Sequence, residues 1–375
     1  MTRLNPSASA LDPIPVLGIA ATPLVVESDA VLDELVFDAT YRALREAGVR
    51  KHELGLSVTA SLDIYDGRSI SSGLTNAASG GYLAQSYRIQ GDAGQAIIAA
   101  AQAIAAGDAD LAVAVGVYAP EVTGPGRREL VRQISNYGFE PHADRPVGLT
   151  AETMWGLHAG HAQDSGELTE RQQAELAASA ITRGAGQPRA LRRSPVTVAD
   201  VLASAPVNGP LRELMLPAEA TGAIAVVLGS LARARRALNP RAVLTGWGQA
   251  TGDTTAGAQW LRDPAAPARR AAAEAYRRAG LTDAADQVDA VELTAATPAL
   301  LAPTLDALGL AKSRAAVSPS GGVLSSYPGL ANGALRLFEA LCWLEEHGGR
   351  AVAHSNDPLT GCVADTATVL VLEGV

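Results

Sequence analysis

RIQGDAGQAIIAAAQAIAAGDADLAVAVG, residues 88–116, reads as a short strand, a glycine-flanked turn, a long alanine-rich helix, a second turn and a buried strand. The helix opens at Gly91-Asp92-Ala93-Gly94. Free backbone N–H groups and the positive end of the helix dipole make such a mouth a place for an anion: a phosphate, a thiolate or an oxyanion. Yet this turn holds no Cys, Ser or Thr, and Asp92 is its one ionisable group. Nor is Gly91-x-x-Gly94 a dinucleotide fingerprint, because the third glycine and the acidic residue after the next strand are missing.

Upstream, PVLGIAATPLVV (15–26) is a nearly continuous apolar run. It is followed by an amphipathic helix within residues 27–49, with Ser28 as its expected N-cap and Gly48 as its stop. ELGLSVTAS (53–61) is the next strand. Strands alternating with helices of this length predict crossover units and parallel sheets covered on both faces. From about Tyr118 to Glu219 the pattern gives way to Pro, Gly and charged residues, read as an inserted cap, and TGAIAVVLGS (221–230) restores it.

The remainder repeats the first half. AVLTGWGQAT (242–251) matches the opening strand, and residues 271–296 echo residues 38–61, with the same Tyr-Arg pair and the same Ala-Gly stop before a strand. YPGLANGALRLFEALCWLEEHGGRAVAHS (327–355) repeats the glycine-mouthed helix and its strand. The sequence therefore predicts two similar α/β halves, residues 1–117 with 220–238 and residues 239–375, around a cap of 118–219. Both helix mouths are expected at one pocket between the halves.

Composition narrows the function. A net charge of −9 argues against nucleic acid as the main partner. No apolar run approaches the roughly 20 residues of a membrane span. MTRLNPSASALDPIP (1–15) lacks the apolar core of a signal peptide, so a cytoplasmic protein is expected. The two cysteines, Cys342 and Cys362, form neither a disulfide framework nor a zinc site.

These segments resemble the thiolase superfamily, and within it the sterol-carrier-protein-X or lipid-transfer branch. The resemblance is carried by residues 104–116 and 197–230, VELTAATP (291–298), SPSGGVLSSYPGLANGA (318–334) and GCVADTATVLVLE (361–373). It implies the five-layered αβαβα thiolase fold, usually dimeric, acting on an acyl thioester such as acyl-CoA, with no permanently bound cofactor or metal. The chemistry departs from the family. The nucleophilic cysteine falls on Gly91 or Gln90, the family's His or Asn on Thr294, and the His of its Gly-His-Pro motif on Tyr327. Some lipid-transfer thiolases similarly lack the cysteine and cleave 3-hydroxyacyl-CoA as aldolases, often beside a partner with a zinc ribbon and an OB-fold. Residues 63–83 followed by GDAG also resemble thiolase-like proteins encoded beside a second thiolase-like or OB-fold subunit.

Two readings stand beside each other for every candidate. Tyr327 is an acid/base or a packing ring. Thr294 hydrogen-bonds a thioester carbonyl or is a strand residue. Cys362 has a chemical role or is a small buried hydrophobe. Asp92 is a base or a helix cap. Gly91, Gly94 and Gly322 are expected to approach substrate, with Trp155 lining the acyl or pantetheine tunnel or packing the cap. His158 and His161 lack carboxylates at ligand spacing and are not read as a metal site. The run ARARR (232–236) is a solvated helix face or an edge that meets CoA phosphates. For the whole chain, a retro-aldol lyase or acyltransferase stands first, and a non-catalytic thiolase-like subunit that scaffolds a complex stands second.

Overall fold

The computed structural model describes residues 12–66, 71–82, 84–235, 240–252, 258–357, 359, 361 and 366–375. In chain order the first half contributes β1 (Ile14–Ala21), α1 (Leu32–Glu46), β2 (Leu56–Ala60), α2 (Asp63–Asp66), α3 (Ser71–Ala78), β3 (Gln85–Ile89), α4 (Ala93–Ala106) and β4 (Leu111–Tyr118). The cap contains α5 (Pro125–Tyr137), α6 (Ala151–Asp164), α7 (Glu170–Gly184), α8 (Val198–Ala203) and the small hairpin β5 (Pro206–Asn208) and β6 (Leu211–Arg212). The sheet resumes with β7 (Gly222–Gly229), followed by α9 (Leu231–Ala234). The second half runs β8 (Ala242–Thr251), α10 (Ala258–Arg262), α11 (Ala266–Ala279), α12 (Ala284–Gln287), β9 (Ala290–Glu292), α13 (Leu301–Ala307), β10 (Ala316–Val317), α14 (Asn332–His347), β11 (Arg350–Asn356) and β12 (Thr366–Gly374).

Strand order demonstrates the duplication. One set runs β3-β2-β4-β7-β1 and the other β10-β9-β11-β12-β8, the same order with corresponding elements. The sets meet where β1 pairs antiparallel with β8 over Ile14↔Leu244, Pro15↔Val243 and Val16↔Ala242. The sheets are mixed, not parallel as the strand–helix alternation predicted. β2 runs parallel to β3 and β4, whereas β7 is antiparallel to β1 and β4. The cap, not a single crossover helix, connects β4 to β7, so nothing enforces a parallel return.

Alternation along the strands builds the layers. On β4, Val113, Val115 and Val117 face outward and pack with Leu35, Val36 and Ala39 of α1. Ala112 and Ala114 face inward toward Ile97 and Ala101 of α4 and Leu337 and Leu341 of α14. The mirror-image outer layer is α11 and α13 on Val291, Val352 and Val369. The result is helix, sheet, paired central helices, sheet, helix, as the resemblance implied. Each central isoleucine, such as Ile97 at 0% exposure, contributes about 1.5–3 kcal/mol by leaving water.

Local signals set most ends. Asp92 caps α4 through Gly94 N, and Gly107 ends it at φ 79. α1 begins later than expected: Val31 is its N-cap, and the Ser28 hydroxyl instead accepts a hydrogen bond from Ala30 N at 3.1 Å. α7 is introduced by a capping box of Thr169 and Gln172. Among the described residues no helix is long and apolar enough to cross a membrane.

Candidate functional site

The two central helices point their N-termini at one buried point, and a carboxylate from this chain fills it. Oδ1 of Asp92 accepts from Gly94 N at 2.8 Å, and Oδ2 accepts from Gly333 N, in the first turn of α14, at 2.9 Å. The Ser355 hydroxyl, on β11, donates to Oδ1 and is itself bonded to Thr368 Oγ1 of β12 at 2.7 Å. Asp92 has no exposed surface. Burial drives its pKa up to about 7, against the lowering effect of the Ser355, Gly94 and Gly333 donors. Both glycines are obligatory. A Cβ at Gly94 would collide with the Thr368 and Ser355 hydroxyls, and one at Gly333 with Asp92 itself.

The site thus answers the puzzle of a nucleophile mouth without a nucleophile. Asp92 is an internal acceptor shared by both helix N-termini, so an external oxyanion would have to displace it. Gly91 and Gly94 are both buried in this closed corner, and a Cβ on Gly91 would press on the Gln95 amide.

Tyr327 stands at the end of the loop that follows β10. Its N–H donates to Ala218 O at 2.8 Å and its carbonyl accepts from Ala220 N at 2.9 Å, fastening it to the segment entering β7. The ring is 6% exposed. Burial raises the phenol well above its ordinary pKa, and Asp92, Tyr65, Tyr118 and Asp357 add to this, so the group is a neutral hydroxyl. Tyr65 and Tyr118 meet edge-to-face at 5.3 Å between ring centroids. The Arg127 guanidinium lies over Tyr118 at 5.4 Å and within 3.8 Å of Glu219. The surrounding protein raises the pKa of Glu219, and Arg127 opposes this.

Tyr65, Tyr118, Trp155, Glu152, Glu219 and Tyr327 line a cavity of about 40 Å³. Glu152, Trp155 and Glu219 also line a larger cleft of about 450 Å³ whose wall carries Arg127, Arg128 and Arg192. The narrow cavity therefore adjoins that cleft, with these three side chains lining both. Arg128 is paired with Glu152 and Glu213, each at 3.1 Å. Arg192 spans four carbonyls, including Leu216 O at 3.1 Å and Leu324 O at 3.0 Å, and burial lowers its pKa to about 10.

Thr294 is committed elsewhere. Its hydroxyl donates to His354 O at 3.2 Å and accepts from Asn332 Nδ2 at 2.7 Å, while its N–H donates to His354 Nδ1 at 3.4 Å. With its one hydrogen directed at a backbone carbonyl, Thr294 ties β11 to α14. Burial lowers His354 to a pKa of about 4, which keeps the imidazole neutral.

A buried ion pair pins the Tyr327 loop. Arg336 of α14 and Glu292 of β9 are 1% and 0% exposed in their side chains and 3.0 Å apart. Glu292 also accepts from Ser320 N at 2.9 Å and Ser320 Oγ at 2.7 Å. Arg336 reaches Ser326 O at 3.1 Å, one residue before Tyr327. Sequence reading missed this pair, since a charged residue at a strand end and another on a helix look like ordinary surface groups.

Of the other expected residues, Trp155 does line the Tyr327 cavity, and its indole N–H is buried without a partner among the described residues. Gly322, at φ 62, lines a different cavity. Cys362 lies outside the described residues, as does Arg236. Arg233, of the same basic run, pairs with Glu53. Cys342 is only partly buried and accepts from Arg189 at 3.2 Å. His158 packs edge-on against Trp260, and no group of metal-ligating side chains occurs among the described residues.

No protein-family model and no curated protein sequence matches this chain. Solved structures do. The chain is similar to one described as an Ltp2-ChsH2(DUF35) aldolase, with a TM-score of 0.76 and 20% sequence identity over 98% of this chain and 99% of that one. At this identity the likeness shows the fold: the duplicated thiolase-like architecture, shared almost end to end.

Proposed function

We propose that this chain is a thiolase-like lyase that cleaves the C2–C3 bond of a 3-hydroxyacyl thioester by a retro-aldol step, with Tyr327 as proton donor. The observation that carries the reading is the neutral Tyr327 phenol in a cavity that adjoins an arginine-walled cleft, beside helix mouths already filled by Asp92. A covalent acyl-enzyme has no part in it, because no Cys, Ser or Thr stands at the α4 mouth.

A retro-aldol step needs no nucleophile. A base takes the 3-hydroxyl proton, the C2–C3 electron pair passes to the thioester enolate, C3 leaves as a carbonyl, and a proton returns to C2. Glu219, whose raised pKa makes it the better proton acceptor, is the base. Tyr327 gives its proton to C2 and recovers one from Glu219, which lines the same cavity. Arg128 and Arg192 receive the phosphates of a CoA thioester, with Trp155 along its pantetheine arm. In this reading Asp92 and Thr294 position α4 and α14, and no bound cofactor or metal takes part.

The assembly proposed is a cytoplasmic homodimer joined through the free edge of β3, which carries Tyr87 at 54% exposure with Tyr82 at 69% nearby. A zinc-ribbon and OB-fold partner, or a second thiolase-like subunit, completes it. The solved neighbour is described as an Ltp2-ChsH2(DUF35) aldolase, which supports the aldolase reading.

One observation favours the second reading, a non-catalytic scaffolding subunit. About 40 Å³ beside Tyr327 accommodates little more than a water molecule, so substrate entry requires the cap to open. Tyr327→Phe separates the readings. On a panel of 3-hydroxyacyl-CoA substrates, with the OB-fold partner supplied, loss of this proton donor lowers kcat by roughly 10²–10⁴. Full turnover by the variant would remove Tyr327 from the chemistry. A wild type without turnover that nevertheless sustains its partner's activity would establish the scaffold.

A further inference from the structure

A second cavity, of about 220 Å³, lies against the loop that precedes Tyr327 and shares no lining residue with the arginine-walled cleft. Leu176 of α7, Leu301 and Leu305 of α13, and Leu293, Val323 and Leu324 make its walls apolar. Leu293 and Ala295 flank Thr294 in sequence, yet line this cavity rather than the cleft.

Four polar side chains break the apolar lining: Ser179, Ser318, Thr297 and Arg183. The Thr297 side chain is fully buried, and its hydroxyl has no hydrogen-bond partner among the described residues. An unpaired hydroxyl in an apolar wall is costly unless something arrives to accept its proton. Arg183, at the end of α7, also lines the cavity. Its Nε donates to Ser318 O at 2.9 Å, and no described carboxylate lies within ion-pair reach of it. Glu292, the nearby buried acid, is held by Arg336 instead.

The cavity is preformed. α7 meets the loop glycine to glycine: a Cβ on Gly321 would approach Ala180 O at 2.6 Å, and one on Gly184 would strike the Ser325 hydroxyl. This close contact, together with the Glu292–Arg336 pin, holds the walls in place.

From the unpartnered Thr297 hydroxyl, the unpaired Arg183 guanidinium and the leucine-lined interior, we propose that this cavity binds an oxygenated aliphatic carboxylic acid. Its carboxylate sits at Arg183, its chain fills the interior, and a hydroxyl or keto oxygen on that chain accepts from Thr297 Oγ1. At about 30 Å³ per water-sized group, the cavity holds about seven such groups, which sets the chain at about six to eight carbons. Binding here does not depend on the lyase chemistry proposed above.

Calorimetric titration of the full chain tests this with butanoate, hexanoate, octanoate, dodecanoate and 3-hydroxyoctanoate as probes. Affinity is expected to rise about fourfold per added methylene up to octanoate, and to fall at dodecanoate. The hydroxy acid is expected to bind at least about fivefold more tightly than octanoate, as one additional hydrogen bond requires. Thr297→Val abolishes that hydroxyl preference and leaves octanoate binding unchanged. Arg183→Gln weakens every acid about tenfold or more without affecting octanol. Displacement of the acids by free CoA would place them in the other cleft and overturn the proposal. So would affinities indifferent to both substitutions, or no heat up to about 5 mM, the weak limit of measurable binding.

Discussion

Asp92→Asn is the sharpest test of the shared helix-mouth carboxylate. The asparagine keeps one carbonyl oxygen. If that oxygen retains Gly94 N and Ser355, the side-chain NH₂ faces Gly333 N–H, donor against donor. The lost bond and the unsatisfied donor cost about 1–3 kcal/mol. The wild type, however, carries a penalty that asparagine lacks. Its folded-state pKa of about 7 lies above the ordinary 3.8, so the fold favours the protonated acid. The stability from this group is complete below the unfolded value and is lost as pH rises through 7. At 1.36 kcal/mol per unit, the wild type loses about 3 kcal/mol relative to the variant between about pH 4.5 and pH 8. Urea unfolding of both proteins across this range, followed by far-ultraviolet circular dichroism, gives the difference directly, and titrations common to both cancel. Asparagine is the weaker protein in acid, and the gap closes or reverses by pH 8. Parallel profiles would refute the reasoning and mean that Asp92 titrates as an ordinary carboxyl.

Other substitutions test the supports of the site. Arg336→Met strands Glu292 in the core and should cost about 3–5 kcal/mol in urea unfolding, and Arg336→Lys should not rescue it, because one ammonium cannot span Glu292 and Ser326 O; a loss under about 1 kcal/mol would make the pair dispensable. Gly333→Ala forces a methyl group onto Asp92 Oδ1 and is expected to lose its near-ultraviolet dichroism or its soluble yield, whereas a native-like spectrum would show that the two helix mouths can part. Tyr87→Lys places a charge on the open edge of β3 and should turn a dimer into a folded monomer in sedimentation velocity; a wild type that is itself monomeric would end the homodimer proposal.

The sequence alone determined the repeated strand–helix pattern, the capped and glycine-ended α4, and the interruption by the cap between β4 and β7. These rest on short-range chemistry: side-chain periodicity, an aspartate able to cap its own helix, and glycines able to take positive φ. What Asp92 does beyond α4 was not legible, because its second partner, Gly333, is 241 residues away. Nor was the direction of β7, which is fixed by where the cap returns the chain rather than by its apolar content. Thr294 looked available for a carbonyl until β11 brought the His354 carbonyl to its hydroxyl. Nothing in the sequence marks Glu292 and Arg336 as partners; β9 and α14 enclose them together. Tyr65 was an unremarked residue until folding set its ring against Tyr118 beside Tyr327. Local backbone preference places elements, but the partner of a buried polar group is chosen by whichever distant segment packs against it, and that choice exists only in the tertiary structure.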